Sequence, residues 1–177
     1  VSQPLVSIKI PAYNCAPSIG ETIDTCLAQS RSNIEIIVVN DGSTDDTCAV
    51  LERYGSLIRV VAKPNGGLAR ARNVGQQVAF GEYVAWLDAD DIAHPDRIAV
   101  QAAVLDREPT AALVCSDFSA FVTGLADIET SHIGTYYSSF AEREGAPGSS
   151  PNRVGCTSPA PGHPLVTSIG LANSSSI

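Results

Sequence analysis

Short apolar runs alternate with helical spacings over the first two-thirds of the chain. Leu5 to Ile10 is an apolar run that Pro11 is expected to end. Ile19, Ile23 and Leu27 follow at i, i+4, i+8, the spacing of one helix face. Ile34 to Val39 is β-branched and closes on Asn40-Asp41-Gly42. Ser43, with Asp46 three residues on, reads as a capping box for a helix reaching about Tyr54. Leu57 to Ala62 predicts a third strand, and Pro64-Asn65-Gly66-Gly67 breaks it before a helix over Leu68 to Ala79. Tyr83 to Leu87 predicts a fourth strand. Pro95 suits the first turn of a helix carrying Ile98, Ala102 and Leu105, and Ala111 to Cys115 predicts a fifth strand.

Strands built from continuous β-branched runs and separated by helices imply an α/β fold. Its sheet should be mostly parallel and twisted, with helices on both faces, in the manner of a Rossmann-like half. Ligands of such sheets bind outside the carboxyl ends of the strands. Ala12-Tyr13-Asn14, Asn40-Asp41-Gly42 and Asp88-Ala89-Asp90-Asp91 all fall at those ends. After about Asp117 the pattern decays, and Gly145 to Pro164, rich in Gly, Pro and Ser, reads as loop. The expected division is one α/β domain over residues 1–117 and an irregular segment over 118–177.

Composition narrows the partners. The net charge is −8 and no Lys/Arg cluster is present, so nucleic acid would be repelled over most of the surface. An anionic ligand would need a bridging cation or a local set of donors. No apolar run approaches the roughly 18 residues of a membrane span, and no secretory signal opens the chain. The five cysteines form no CxxC pair, which argues against zinc or redox chemistry and for reduced thiols in a cytoplasmic protein. Methionine is absent, position 1 included, which points to an excerpted or altered chain.

The acidic run after the fourth strand is the first candidate for chemistry. If the chain stays extended there, Asp88 and Asp90 project to one side and Asp91 to the other. Two such carboxylates repel, and a divalent cation relieves the cost; hard oxygen ligands suit Mg²⁺ or Mn²⁺. The alternative is a solvated acidic turn before the helix at Pro95. Asp41 can accept hydrogen bonds from a ring N–H or from ribose hydroxyls, or can simply serve a turn. Tyr13 can stack on a base while the backbone of Pro11 and Ala12 pairs with the base edge, or can be an ordinary loop aromatic. On the helix after Gly67, Leu68, Ala71, Val74, Gly75, Val78 and Ala79 share one arc at about 100° per residue. Arg72 borders that arc and should grip the acidic cluster or a diphosphate, whereas Arg70 should face solvent.

Four linked segments carry a family resemblance. VSIKIPAYN, IEIIVVNDGSTDDT, NGGLARARN and GEYVAWLDADD followed by HPDRI resemble the family 2 glycosyltransferases of the GT-A fold, over about residues 5 to 117. The resemblance implies that Pro11, Ala12, Tyr13 and Asp41 hold a nucleotide, most often uridine. It implies that Asp88, Ala89 and Asp90 bind metal and diphosphate, with Asp90 the better candidate for direct coordination by Mn²⁺ or Mg²⁺. Asn65 and Arg72 fit positions lining the donor pocket. The implied activity is inverting transfer from a UDP-sugar to an acceptor hydroxyl of a glycan, lipid-linked or other molecule, in polysaccharide, cell-wall or glycoconjugate synthesis. The implied setting is cytoplasmic, including the inner face of the membrane, with any peripheral association made through regions outside this chain.

The resemblance lapses where the family places its catalytic base. Asp117, Asp127, Glu129, Glu142 and Glu144 match no such motif, and no Asp or Glu follows Glu144. GHPLVTSIGLANSS resembles the stretch just before the base, so the base is expected beyond the chain end and the chain is expected to bind donor but transfer poorly. The rivals are a non-catalytic nucleotide-sugar or carbohydrate-binding module and a pyrophosphorylase-like enzyme. PAYNCAPSIG is not the GxGxxG of a dinucleotide-binding dehydrogenase. A DxD phosphatase would carry its aspartates after the first strand, not the fourth.

Overall fold

The computed structural model describes residues 3–116 and Ile169–Leu171. Strands β1 (Val6–Ala12), β2 (Ile34–Asn40), β3 (Arg59–Ala62) and β4 (Tyr83–Trp86) are joined by α1 (Ile19–Leu27), α2 (Thr47–Glu52) and α3 (Leu68–Val78). Helix α4 (Arg97–Arg107) leads to β5 (Leu113–Val114), and β6 (Ile169–Leu171) completes the sheet. The order is β3-β2-β1-β4-β6-β5, parallel through β4, with β6 antiparallel to both β4 and β5. The expected α/β architecture is therefore present. Most of the 118–177 segment, including the Gly145 to Pro164 stretch expected to be loop, lies outside the described residues; its Ile169–Leu171 forms a strand.

The two faces of the sheet are filled differently. Val6, Ile8 and Ile10 of β1, Ile36 and Val38 of β2, and Ala85 of β4 form one apolar core with Ile19 and Ile23 of α1, Leu51 of α2 and Ile98 of α4. The opposite face, under α3, has a small cluster of Ile37, Val39 and Ala71. Alternation along β1 puts Ser7, Lys9 and Pro11 on that second face, in register with Glu35, Ile37 and Val39 of β2. Its buried positions include the polar Ser7, Lys9 and, one residue past β2, Asp41.

Several local expectations need correction. Pro11 does not end β1; it lies inside it. Lys9 O accepts from Leu87 N (3.2 Å), so Lys9 and, two residues on, Pro11 turn their backbone toward β4. Pairing with β4 stops at Lys9–Trp86, so the donor that proline lacks has no strand to serve. Ser43 is not the cap of α2, which starts at Thr47. Its Oγ instead accepts from Asn14 N (3.0 Å), while Asp45 accepts from Thr47 N (3.0 Å) and Ala16 N (3.1 Å). Leu27, at the end of α1, and Leu68, at the start of α3, are exposed; Cys26 takes the buried place on α1. A 3₁₀ turn over Gly55–Leu57 delays β3, β5 shrinks to two residues, and α4 begins two residues after Pro95.

Candidate functional site

Chain reversal places the site. From β1 the chain steps outward to β2 and β3, then crosses under α3 to β4 on the other side of β1. The crevice of a doubly wound sheet lies where the order reverses, here at the carboxyl ends of β1 and β4. Tyr13, half exposed, follows β1 there, and the Asp88–Asp91 turn follows β4.

The acidic run is not extended. Asp91 N donates to Asp88 O (3.2 Å), closing a turn, so the same-side alternation expected of Asp88 and Asp90 does not apply. The turn is pinned at its centre. Ala89 buries its methyl in the large core, and its carbonyl accepts from Thr22 Oγ1 (3.0 Å) and Ser18 Oγ (2.9 Å) of the α1 region. Arg97, fully buried, donates from Nη2 to Trp86 O (2.9 Å) and fixes the end of β4. Asp90 is left exposed and Asp88 partly so. Burial, and then the charges of Asp88 and Asp90, push the Asp91 carboxyl above the usual carboxylate range. That crowding is the electrostatic demand a cation would relieve. Among the described residues no three His, Cys, Asp or Glu side chains converge to hold a metal unaided, so any cation here would need further ligands.

Arg72 is brought to this cluster as expected. Its Nη2 donates to Asp88 Oδ1 at 2.8 Å, and both side chains remain partly open to solvent. Arg70 and Asn73 are exposed.

Asp41 is buried and already engaged. Its Oδ1 accepts from Lys63 Nζ and Gly66 N (3.0 Å), and its Oδ2 from Gly67 N (2.7 Å). The Lys63 ammonium, with the two amides, holds its carboxyl below the usual range against the opposing effect of burial. A carboxylate has about four acceptor positions, so little capacity is left for a base or ribose. Asp41 therefore also shapes the Asn65-Gly66-Gly67 loop. Gly42 is required beneath it: its φ is +73°, and a Cβ there would lie 2.7 Å from Asn65 N. Asn65 itself is exposed. Lys63, Gly66 and Gly67 were not among the expected site residues. Their signal was a lysine one residue past the third strand, beside the strand that delivers Asp41.

The strand order and the arginine-bridged acidic turn define a GT-A-type α/β protein. Its fold matches that of Staphylococcus aureus TarS 1-349 in complex with UDP-GlcNAc, at TM-score 0.61 and 27% identity, covering 71% of this chain and 37% of that one. It also matches the Pyrobaculum calidifontis mannosyltransferase PcManGT in complex with GDP-Man and Mn²⁺, at TM-score 0.56 and 30% identity, covering 67% and 36%. The glycosyl transferase family 2 model matches residues 7–159, and the chain belongs to that family. It is 46% identical to an uncharacterised glycosyltransferase of Rickettsia prowazekii over 60% of this chain and 34% of the relative. It is also 46% identical to chondroitin synthase of Pasteurella multocida, over 54% of this chain and 10% of that protein. The chain thus spans about a third of the first relative's length and a tenth of the second's.

Proposed function

We propose that this chain is the donor-binding part of an inverting glycosyltransferase that uses a UDP-sugar. The observation that supports this reading is that Tyr13, Asp41 and the Arg72-bridged Asp88 each follow the carboxyl end of one of the neighbouring strands β1, β2 and β4. Tyr13 offers an exposed ring face to a base, with the backbone of Pro11 and Ala12 beside it. Asp41 orders the loop bearing Asn65 through Lys63 and the Gly66 and Gly67 amides, and so shapes the wall of the nucleoside site. Arg72 has donors to spare for a diphosphate once it has paired with Asp88.

Asp90 and Asp88 are the side chains that would hold Mn²⁺ or Mg²⁺, since both are accessible and both are hard oxygen ligands. A bound cation supplies Lewis-acid stabilisation of the charge building on the departing diphosphate. An acceptor hydroxyl gives its proton to a carboxylate and attacks the anomeric carbon opposite the nucleotide. Residues 1–117 serve the donor and 118–177 the acceptor side. Asp117, Asp127, Glu129, Glu142 and Glu144, the acids that follow Glu108, lie outside the described residues, and no residue is assigned as the base. The acceptor is a glycan, lipid-linked or other hydroxyl, in polysaccharide or glycoconjugate synthesis. Among the described residues no helix is long and apolar enough to cross a membrane.

Calorimetric titration of UDP, GDP and ADP with and without Mn²⁺ tests the proposal. UDP should bind tightest, and Asp90→Ala should abolish the gain from Mn²⁺. UDP binding that is indifferent to both the metal and Asp90→Ala would remove the cation from the mechanism.

A further inference from the structure

Beneath α3 lies a lysine for which the donor site has no direct use. Lys9, in the middle of β1, is 1% exposed and lies in register with Ile37 on β2 and Trp86 on β4. Its stem passes under Gly75, where an added Cβ would meet Lys9 Cδ at 3.5 Å and Val39 Cγ2 at 3.4 Å. Its Nζ donates to Gln76 Oε1 and stands 3.4 Å from the centroid of the Trp86 ring. Arg72, one turn earlier on the same helix, places Cζ 5.8 Å from that ring and reaches Asp88 with Nη2. Arg72 Nε is buried with no hydrogen-bond partner, so the indole face is what braces that end of the guanidinium.

A buried ammonium without a carboxylate is costly and calls for a reason. The groups facing Lys9 are Ile37 and Val39 on β2, Trp86 on β4, and Gly75 and Gln76 on α3, none of them titratable. The charged side chains nearest along these elements are Arg72 on α3, tied to Asp88, and Glu35 and Asp41 at the two ends of β2. Glu35 is committed to Ser7, Phe80 N and Gly81 N, and Asp41 to Lys63 and its loop. Burial alone lowers the Lys9 ammonium to about 7.

We propose that Lys9 and Trp86 are positioning residues of the donor site: the lysine fixes the indole, and the indole sets the Arg72 guanidinium that holds Asp88. This rests on the donor-site reading above. Lys9 does not touch the donor, yet donor binding depends on it.

Trp86 is the only tryptophan in the chain, so its emission reports this ring alone. In ligand-free protein, emission followed from about pH 5.5 to about pH 9 should show a transition near 7 that Lys9→Met lacks. Lys9→Met should weaken UDP–Mn²⁺ binding about tenfold near pH 6, with the deficit shrinking toward pH 8 as the wild-type lysine loses its proton. In a double-mutant cycle with Arg72→Ala, the two losses should overlap rather than add. Trp86→Leu, which keeps apolar bulk without the ring face, should reproduce the loss and guards against misfolding of Lys9→Met.

Wild-type protein that binds no nucleoside diphosphate overturns the donor-site reading and this proposal with it. Wild-type binding that Lys9→Met leaves unchanged, or additive losses in the cycle, overturns this proposal alone.

Discussion

The sheet face covered by α1, α2 and α4 and the face covered by α3 solve different problems with the same strands. Every inward position of β1 on the first face is aliphatic (Val6, Ile8, Ile10, Ala12), and all of them belong to one continuous core. The same strand gives the second face Ser7, Lys9 and Pro11, over a buried apolar cluster of Ile37, Val39 and Ala71. Buried polar groups there are paired internally: Ser7 with Glu35, Lys9 with Gln76 and the Trp86 ring, Asp41 with Lys63 and two amides. The first face supplies the large apolar core, and its Ser18, Thr22 and Arg97 also fix the acidic turn and the end of β4. The second holds charged groups in fixed places near the crevice, at some cost in stability, as sites that bind often do.

Substitutions on the two faces should therefore move stability and binding independently. Ile8→Ala, on the face where β1 is wholly aliphatic, should lose about 2–5 kcal/mol in urea denaturation while the UDP–Mn²⁺ affinity of the folded protein holds. If binding collapses with it, the faces are not separable. Lys9→Met should do the reverse, gaining about 1–3 kcal/mol near pH 6 while weakening binding. The sign follows from its lowered folded pKa. Below about 7 both states carry the proton and the burial penalty is complete. Between about 7 and the ordinary 10.5 the unfolded chain binds the extra proton, so stability rises with pH. Denaturation midpoints across that range should slope upward in the wild type and less so in Lys9→Met.

Asp41→Asn should cost roughly 1–2 kcal/mol at neutral pH, because Lys63 loses its counter-charge in a buried place. The folded pKa of Asp41 lies below the ordinary 3.8. Its contribution is therefore present above that value and lost as pH falls through the lower folded one. Acid titration of stability should show a shallower fall in Asp41→Asn than in the wild type. The smallest effect on stability belongs to Arg72→Lys, since its partly exposed pair with Asp88 contributes at most about 1 kcal/mol. Its binding loss should nevertheless exceed that of Ile8→Ala, because an ammonium cannot make the forked contact. Equal losses in the two variants would erase the contrast between the faces.

Much of this was legible in the residues. The β-branched runs of β1 and β2 and the small-residue arc of α3 are periodic signals, and they predicted elements correctly to within a residue or two. The position of Arg72 at the arc's edge predicted its acidic partner. What failed were features set by distant neighbours. Pro11 reads as a terminator until the early end of β4 shows that its missing N–H has nothing to bond. Asp88 and Asp90 alternate only in an extended chain, and the Ser18 and Thr22 hydroxyls that hold the turn lie some seventy residues earlier. The Lys63 grip on Asp41 joins the ends of neighbouring strands, and β6 is three residues long; neither leaves a periodic trace.

The proline inside β1 has one more consequence. An unpaired strand end ordinarily invites any extended peptide to zip onto it through its amides. At Pro11 the first rung of such a ladder has no donor, so a neighbouring chain gains little by lying there. Past Trp86, where β4 no longer pairs with β1, that stretch of backbone is a poor template for an added strand.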